Sequence, residues 1–208
     1  MDLRAILMGL AFALMWSSAF ATGHIIVASA PPLAALALRF LISGLLAVAV
    51  ALALGQSWRL SPGQARSVLI LGVCQNALYL GLNFIALQST EASLAAIIAS
   101  TMPLIVAVLG WALRGEKVPR LGVIGLIAGF AGVALIMGNR LSGGAELSGI
   151  LLCVIAALAL AIATLTLRGA TMGGNLLMVV GLQMLVGALV LGVVSLSFEP
   201  WVVQISPR

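Results

Sequence analysis

The sequence predicts an all-α fold: a polytopic membrane helix bundle of about seven transmembrane helices. Three observations carry that expectation. The 208-residue chain is 63% hydrophobic and 7% charged, with a mean hydropathy of +1.27. Soluble domains carry about a quarter charged residues, so the polar surface of a water-facing fold cannot be built here. The apolar residues also fall in runs near the length that crosses ~30 Å of hydrocarbon at about 1.5 Å per residue. Alternation with period two is absent, which favours helices over barrel strands.

The spans are placed at 5–24, 33–54, 68–87, 92–113, 121–138, 148–167 and 176–197. In the first, Trp16, Phe20 and His24 recur every four residues and share one helix face. Ala28-Ser29-Ala30 has the small residues of a signal cleavage site, but the apolar run before it is too long for a signal core. The second span follows Pro31-Pro32 and contains Arg39, the one cation inside a span. In the third, Gly72, Asn76, Tyr79 and Asn83 stand at spacings of four, three and four, one face of an α-helix, with Gln75 beside it.

The fourth span opens after the polar turn Gln88-Ser89-Thr90-Glu91 and leaves through Arg114, Glu116 and Lys117. Pro103 interrupts it, removing one backbone donor and bending the helix. Ser100 and Thr101 precede that proline and can cover the freed carbonyl. In the fifth, Gly122, Gly125, Gly129 and Gly132 form one stripe that admits close helix packing. Packing within the bundle is the expected use; a homodimer seam is the alternative. The sixth and seventh spans contribute Thr164, Thr166 and Gln183 as further polar candidates.

Loop charges set the orientation. With the N-terminus in the cytoplasm, Arg4, Arg59, Arg66, Arg114, Lys117, Arg120 and Arg168 lie inside, against Arg140 and Arg208 outside. The formal charge of +5 is scattered over short loops, so no nucleic-acid partner is implied. Cys74 and Cys153 fall inside apolar spans and read as small buried hydrophobes, not as a disulfide or metal site. No catalytic set, metal-ligand cluster or phosphate-cradling loop is present in the sequence, so neither an enzyme nor a cofactor is expected.

Residues 2–52 can be laid on 146–196 without a gap, Asp2 meeting Glu146 and Thr22 meeting Thr166. Five spans precede Glu146, and an odd number inverts the next copy across the membrane, as in many transporters. A small-residue helix with a mid-span proline, a Gly115-Glu116-Lys117 exit and a glycine-rich run from Gly122 to Gly138 resembles the EamA-type drug/metabolite transporters. Trp16-Ser17-Ser18-Ala19-Phe20 and Arg39 are similar to that family's pattern as well. The resemblance implies a first five-helix repeat over 1–140 and a partial second repeat over 146–208. It implies ten spans in all, so the chain is expected to lack about three helices.

The same resemblance implies efflux, or less often uptake, of amino acids or comparable small metabolites across the inner membrane by alternating access. A substrate-binding wall of Trp16, Phe20, Arg39, Asn76, Tyr79 and Asn83 is expected, with Pro103 as the gating bend. Each residue has a plainer alternative. The third-span polar row can be helix-to-helix hydrogen bonding, the aromatic pair ordinary packing, and Arg39 a partner of Glu91 or of loop carbonyls. His24 can assist proton coupling or serve as an interfacial donor. The first span holds no carboxylate, unlike the related small multidrug-resistance pumps, which disfavours an antiporter of cationic drugs. A non-transporting membrane scaffold and a membrane-embedded transferase remain the rival classes.

Overall fold

A computed structural model describes residues 3–142, 146–167 and 175–200. Every regular element among them is helical, and seven helices are long and apolar enough to cross a membrane. They are α1 (Leu3–Val27), α2 (Pro32–Ala53), α3 (Pro62–Ala86), α4 (Ala92–Arg114), α5 (Arg120–Ser142), α6 (Leu147–Thr166) and α7 (Leu176–Phe198). The chain is a multi-pass membrane protein. Asp2, Arg168 and Arg208 of the repeat and orientation arguments lie outside the described residues.

The helix ends follow local chemistry. α3 begins at Pro62, earlier than hydropathy indicates, because Ser61 and Gln64 form a capping box: Gln64 N donates to Ser61 Oγ (3.3 Å) and Ser61 N to Gln64 Oε1 (2.9 Å). The polar first turn hides this start from an apolar scan. α4 stops at Gly115, whose φ of 65° is costly for any residue with a Cβ. Glu116 N then reaches back to Gly110 O (3.2 Å) and closes the end.

α4 is broken at Thr101 into Ala92–Ser100 and Met102–Arg114, just before Pro103. The two hydroxyls donate to Ile97 O (2.7 Å, Ser100) and Ile98 O (2.6 Å, Thr101). Neither bonds Ala99 O, the carbonyl that Pro103 leaves without its usual donor. Within α3, Gly72–Leu80 winds as a π-helix between two α-helical ends.

Packing centres on α7, which lies against α2 and α3. Glycines allow the approach. A Cβ on Gly181 would stand 2.9 Å from Val48 N of α2, and one on Gly187 would collide with Asn76 Cβ of α3. Gly72 and Gly44 return the favour, facing Val186 and Leu185. The ends are tied as well. Leu33 N and Ala34 N, in the first turn of α2, donate to the Glu199 carboxylate (2.8 and 2.9 Å) just beyond α7. At the opposite end Met178 N, in the first turn of α7, donates to Gln56 Oε1 (2.9 Å) just beyond α2. Each helix thus caps the other's N-terminus.

α6 sits on α3 and α4, with Gly149 against Thr90 at one end. At the other, Arg114 Nη1 donates to Leu165 O (2.8 Å) in the last turn of α6, where a cation also complements the helix dipole. α1 is packed mainly near its Val27 end, against α4 and the end of α3. α5 touches only α4 appreciably: Gly129 faces Leu104, while Gly125 and Gly132 face open space and Gly122 meets its own Val118.

Gly187→Val is therefore expected to lower the melting temperature in detergent by several degrees, an overpacking cost of about 1–3 kcal/mol. Gly192→Val on the same helix, where a Cβ meets nothing within 4 Å, is expected to melt like the parent protein. Thermal unfolding of the two variants side by side checks this.

Candidate functional site

Five polar side chains inside the spans, Arg39, Gln75, Tyr79, Asn83 and Thr164, converge on one cavity. It has a volume of about 460 Å³ and is walled by α1, α2, α3, α4 and α6. Trp16, Phe20, Arg39, Tyr79 and Asn83, five of the six wall residues expected from sequence, line it. Phe12, Gln75, Phe84, Met102 and Thr164 complete much of the lining. A larger groove of about 720 Å³ between α2 and α7 has Ser195 as its one polar lining side chain, and that hydroxyl is already given to Glu199 (2.6 Å).

Asn76 stands elsewhere. It is buried in the seam between α3 and α7, where Nδ2 donates to Gln183 O (2.9 Å). The cause is the π-helical winding. A ladder of i to i+5 bonds puts more residues in each turn than an α-helix, so spacings of three no longer keep a face. Gln75, Tyr79 and Asn83, each four apart, now line the cavity together. A spacing of four and four was present in the sequence, but an α-helical frame favours the row through Asn76.

The aromatic wall is continuous. Phe12 and Trp16 rings lie 5.3 Å apart, and Trp16 and Tyr79 rings 6.4 Å apart, both tilted. Such pairs are worth about 0.5–1.5 kcal/mol beyond area burial. Tyr79 is buried between this wall and Ala156 and Leu160 of α6. Phe20 is buried where α1 meets the apolar cluster of Leu87, Leu94 and Ile98, which closes this end of the cavity.

Arg39 enters the cavity from α2 with its guanidinium 5.9 Å from the Phe40 ring. Among the described residues no carboxylate pairs with it; Glu91 accepts from Ser93 Oγ (3.1 Å) instead. His24 Nδ1 donates to Leu87 O (3.1 Å), tying the end of α1 to the end of α3. Thr164 Oγ1 donates to Leu160 O (2.8 Å) and so shows its lone pairs to the cavity, whereas Thr166 is exposed and bonded to Ile162 O. Pro103 lies one residue past Met102, the α4 residue in the lining. Among the described residues no cluster of three metal-ligating side chains occurs.

An aromatic cavity at mid-span with one cation, four amide or hydroxyl groups and, among the described residues, no acid fits a small-solute pathway. The EamA-like transporter family matches residues 3–138. The chain belongs to the EamA-like transporter family. A protein of Bacillus subtilis (strain 168) described as the uncharacterized transporter YvbV is 31% identical over 179 residues, which is 86% of this chain and 58% of its own length. A solved crystal structure overlays with a TM-score of 0.66 at 26% identity, covering 98% of this chain and 70% of that one. The present chain thus spans under two thirds of the curated relative it matches.

With the family in hand, Asn76 and the cavity residues separate by experiment. Asn76→Leu is expected to destabilise the bundle by the worth of one interhelical hydrogen bond, about 0.6 to 1.7 kcal/mol. It is expected to leave ligand affinity within about threefold of the parent. Melting temperature and ligand titration on the same preparation check both halves.

Proposed function

We propose that this EamA-family protein moves amino acids or comparable small metabolites outward across the inner (plasma) membrane by alternating access. The observation that carries the reading is the membrane-embedded cavity with an unpaired guanidinium among aromatic rings. A cation at membrane depth is costly unless it is paired or solvated. A solute carboxylate supplies the missing partner, and a guanidinium fork binds it through two parallel hydrogen bonds. The rings accept the apolar part of an amphipathic solute.

In this reading the wall residues are Trp16, Phe20, Arg39, Tyr79 and Asn83, with Gln75 taking the place first given to Asn76. The N-terminus is cytoplasmic, as the lysines and arginines of the loops favour. The two halves, 1–140 and 146 onward, are inverted copies. The reciprocal caps of α2 and α7 support this, because the alignment laying residue 2 on 146 also lays Ala34 on Met178, a capped amide of each helix. The break at Thr101 and Pro103 is the flexing point of α4. A pure scaffold would leave the interior packed dry; the Asn76 seam has that character, but the space beside Tyr79 does not.

Arg39→Gln is the test. In proteoliposomes, flux of carboxylate-bearing amino acids is expected to fall tenfold or more, an order set by losing a charged hydrogen bond. Membrane insertion and melting temperature are expected to hold. Undiminished flux would remove Arg39 from the pathway.

A further inference from the structure

One residue of the cavity lining carries a buried polar atom without a partner. Asn83 is 3% exposed, and its Nδ2 donates to Tyr79 O (2.7 Å). Its Oδ1 is buried with no hydrogen-bond partner. Side-chain amide oxygens carry two acceptor positions, and leaving a buried one empty is unfavourable. Two other buried side-chain oxygens among the described residues share this condition, Thr90 Oγ1 and Gln183 Oε1, and neither residue lines the cavity. Thr90 is wedged against Gly149, and Gln183 lies in the α3–α7 seam.

The neighbours do not fill the vacancy. Thr164 has spent its hydroxyl proton on Leu160 O. Arg39, Gln75 and Tyr79 line the same cavity, yet none of them bonds Asn83 Oδ1. A donor on a bound solute would fill it. Among the described residues no aspartate or glutamate lines the cavity, and Arg39 is its one fixed charge. A purely cationic solute is repelled there. An ammonium group is accommodated when the same molecule carries the carboxylate that neutralises Arg39, and a charged donor makes the stronger hydrogen bond.

We propose that Asn83 Oδ1 reads a protonated amine on the bound solute, so that the cavity selects zwitterions over the matching carboxylic acids and amines. This rests on the transport reading above for its site, but its test is one of binding.

Three probes share a ring and differ in charge: phenylalanine, phenylpropionate and phenethylamine. Titrated calorimetrically into the full chain in lipid nanodiscs, phenylalanine is expected to bind about tenfold tighter than phenylpropionate, with phenethylamine weakest. Asn83→Leu is expected to bring phenylalanine and phenylpropionate within about threefold of each other. A merely structural role for Asn83 would weaken both acids together and leave their ratio alone. Should Asn83→Leu fail to assemble, Asn83→Asp decides: the added charge is expected to raise phenethylamine affinity about tenfold. Equal wild-type affinity for the two acids, no binding of phenylalanine, or variants that leave these ratios unmoved would overturn the proposal. Selective binding without flux in proteoliposomes would instead count against transport alone.

Discussion

The bundle depends on the backbone of α7 lying in near contact with α2 and α3. Lipid chains are as apolar as leucine, so helices in a membrane gain little by hiding apolar surface from one another. They associate through close van der Waals packing, and that needs small residues at the crossing. Gly44, Gly72, Gly181 and Gly187 provide it. The end caps then fix the sliding coordinate. Glu199 holds the first turn of α2, and Gln56 holds the first turn of α7. Both partners occupy helix N-termini, where backbone donors have no intrahelical acceptor. A displacement of α2 along α7 would empty both caps at once. The pair is therefore a rigid frame on which α3 is mounted.

That mounting determines the chemistry of the cavity. α3 must place Gly72 and Asn76 against α7 while turning Tyr79 and Asn83 towards α1. An α-helix puts Asn76, Tyr79 and Asn83 on one face and cannot serve both neighbours. The π-helical stretch Gly72–Leu80 separates them. Asn76 becomes an interhelical hydrogen bond, and Gln75 becomes a cavity residue. Single π segments inside α-helices are often found at functional sites.

Hydropathy alone located all seven spans, because a run of apolar residues long enough to cross a bilayer has few alternative fates. The ends were legible where a residue type dictates them, as at Pro32 and Gly115. The start of α3 was not, since Ser61 and Gln64 signal a helix by capping and not by hydropathy. Trp16, Phe20, Arg39, Tyr79 and Asn83 could be picked out because polar or aromatic side chains at helical spacing stand apart in so apolar a chain. Asn76 was misplaced by the assumed helical period. The destination of each glycine was also hidden: Gly129 finds Leu104, yet Gly125 and Gly132 on the same stripe find nothing. Periodicity says which residues share a face, and only the neighbours say whether that face is covered.

The frame and the remaining helices differ in how firmly they are held, and this bears on motion. α6 is wedged in by Gly149 at Thr90 and by Arg114 at Leu165. α1 is anchored near its Val27 end by Phe20, Gly23 and His24. Its other half, including Phe12 at 62% and Met15 at 75% exposure, makes few contacts within the bundle. Elements with few buried contacts open at the lowest free energy. Swinging that half of α1 about its anchored end would move Phe12, Met15 and Trp16 away from Tyr79 and widen the cavity. The hydrogen bond from His24 to Leu87 O lies at the anchored end. Moving α2 or α7 would empty two caps and separate the glycine contacts. The first half of α1 is thus held more loosely than the α2–α7 pair, which is tied at both ends.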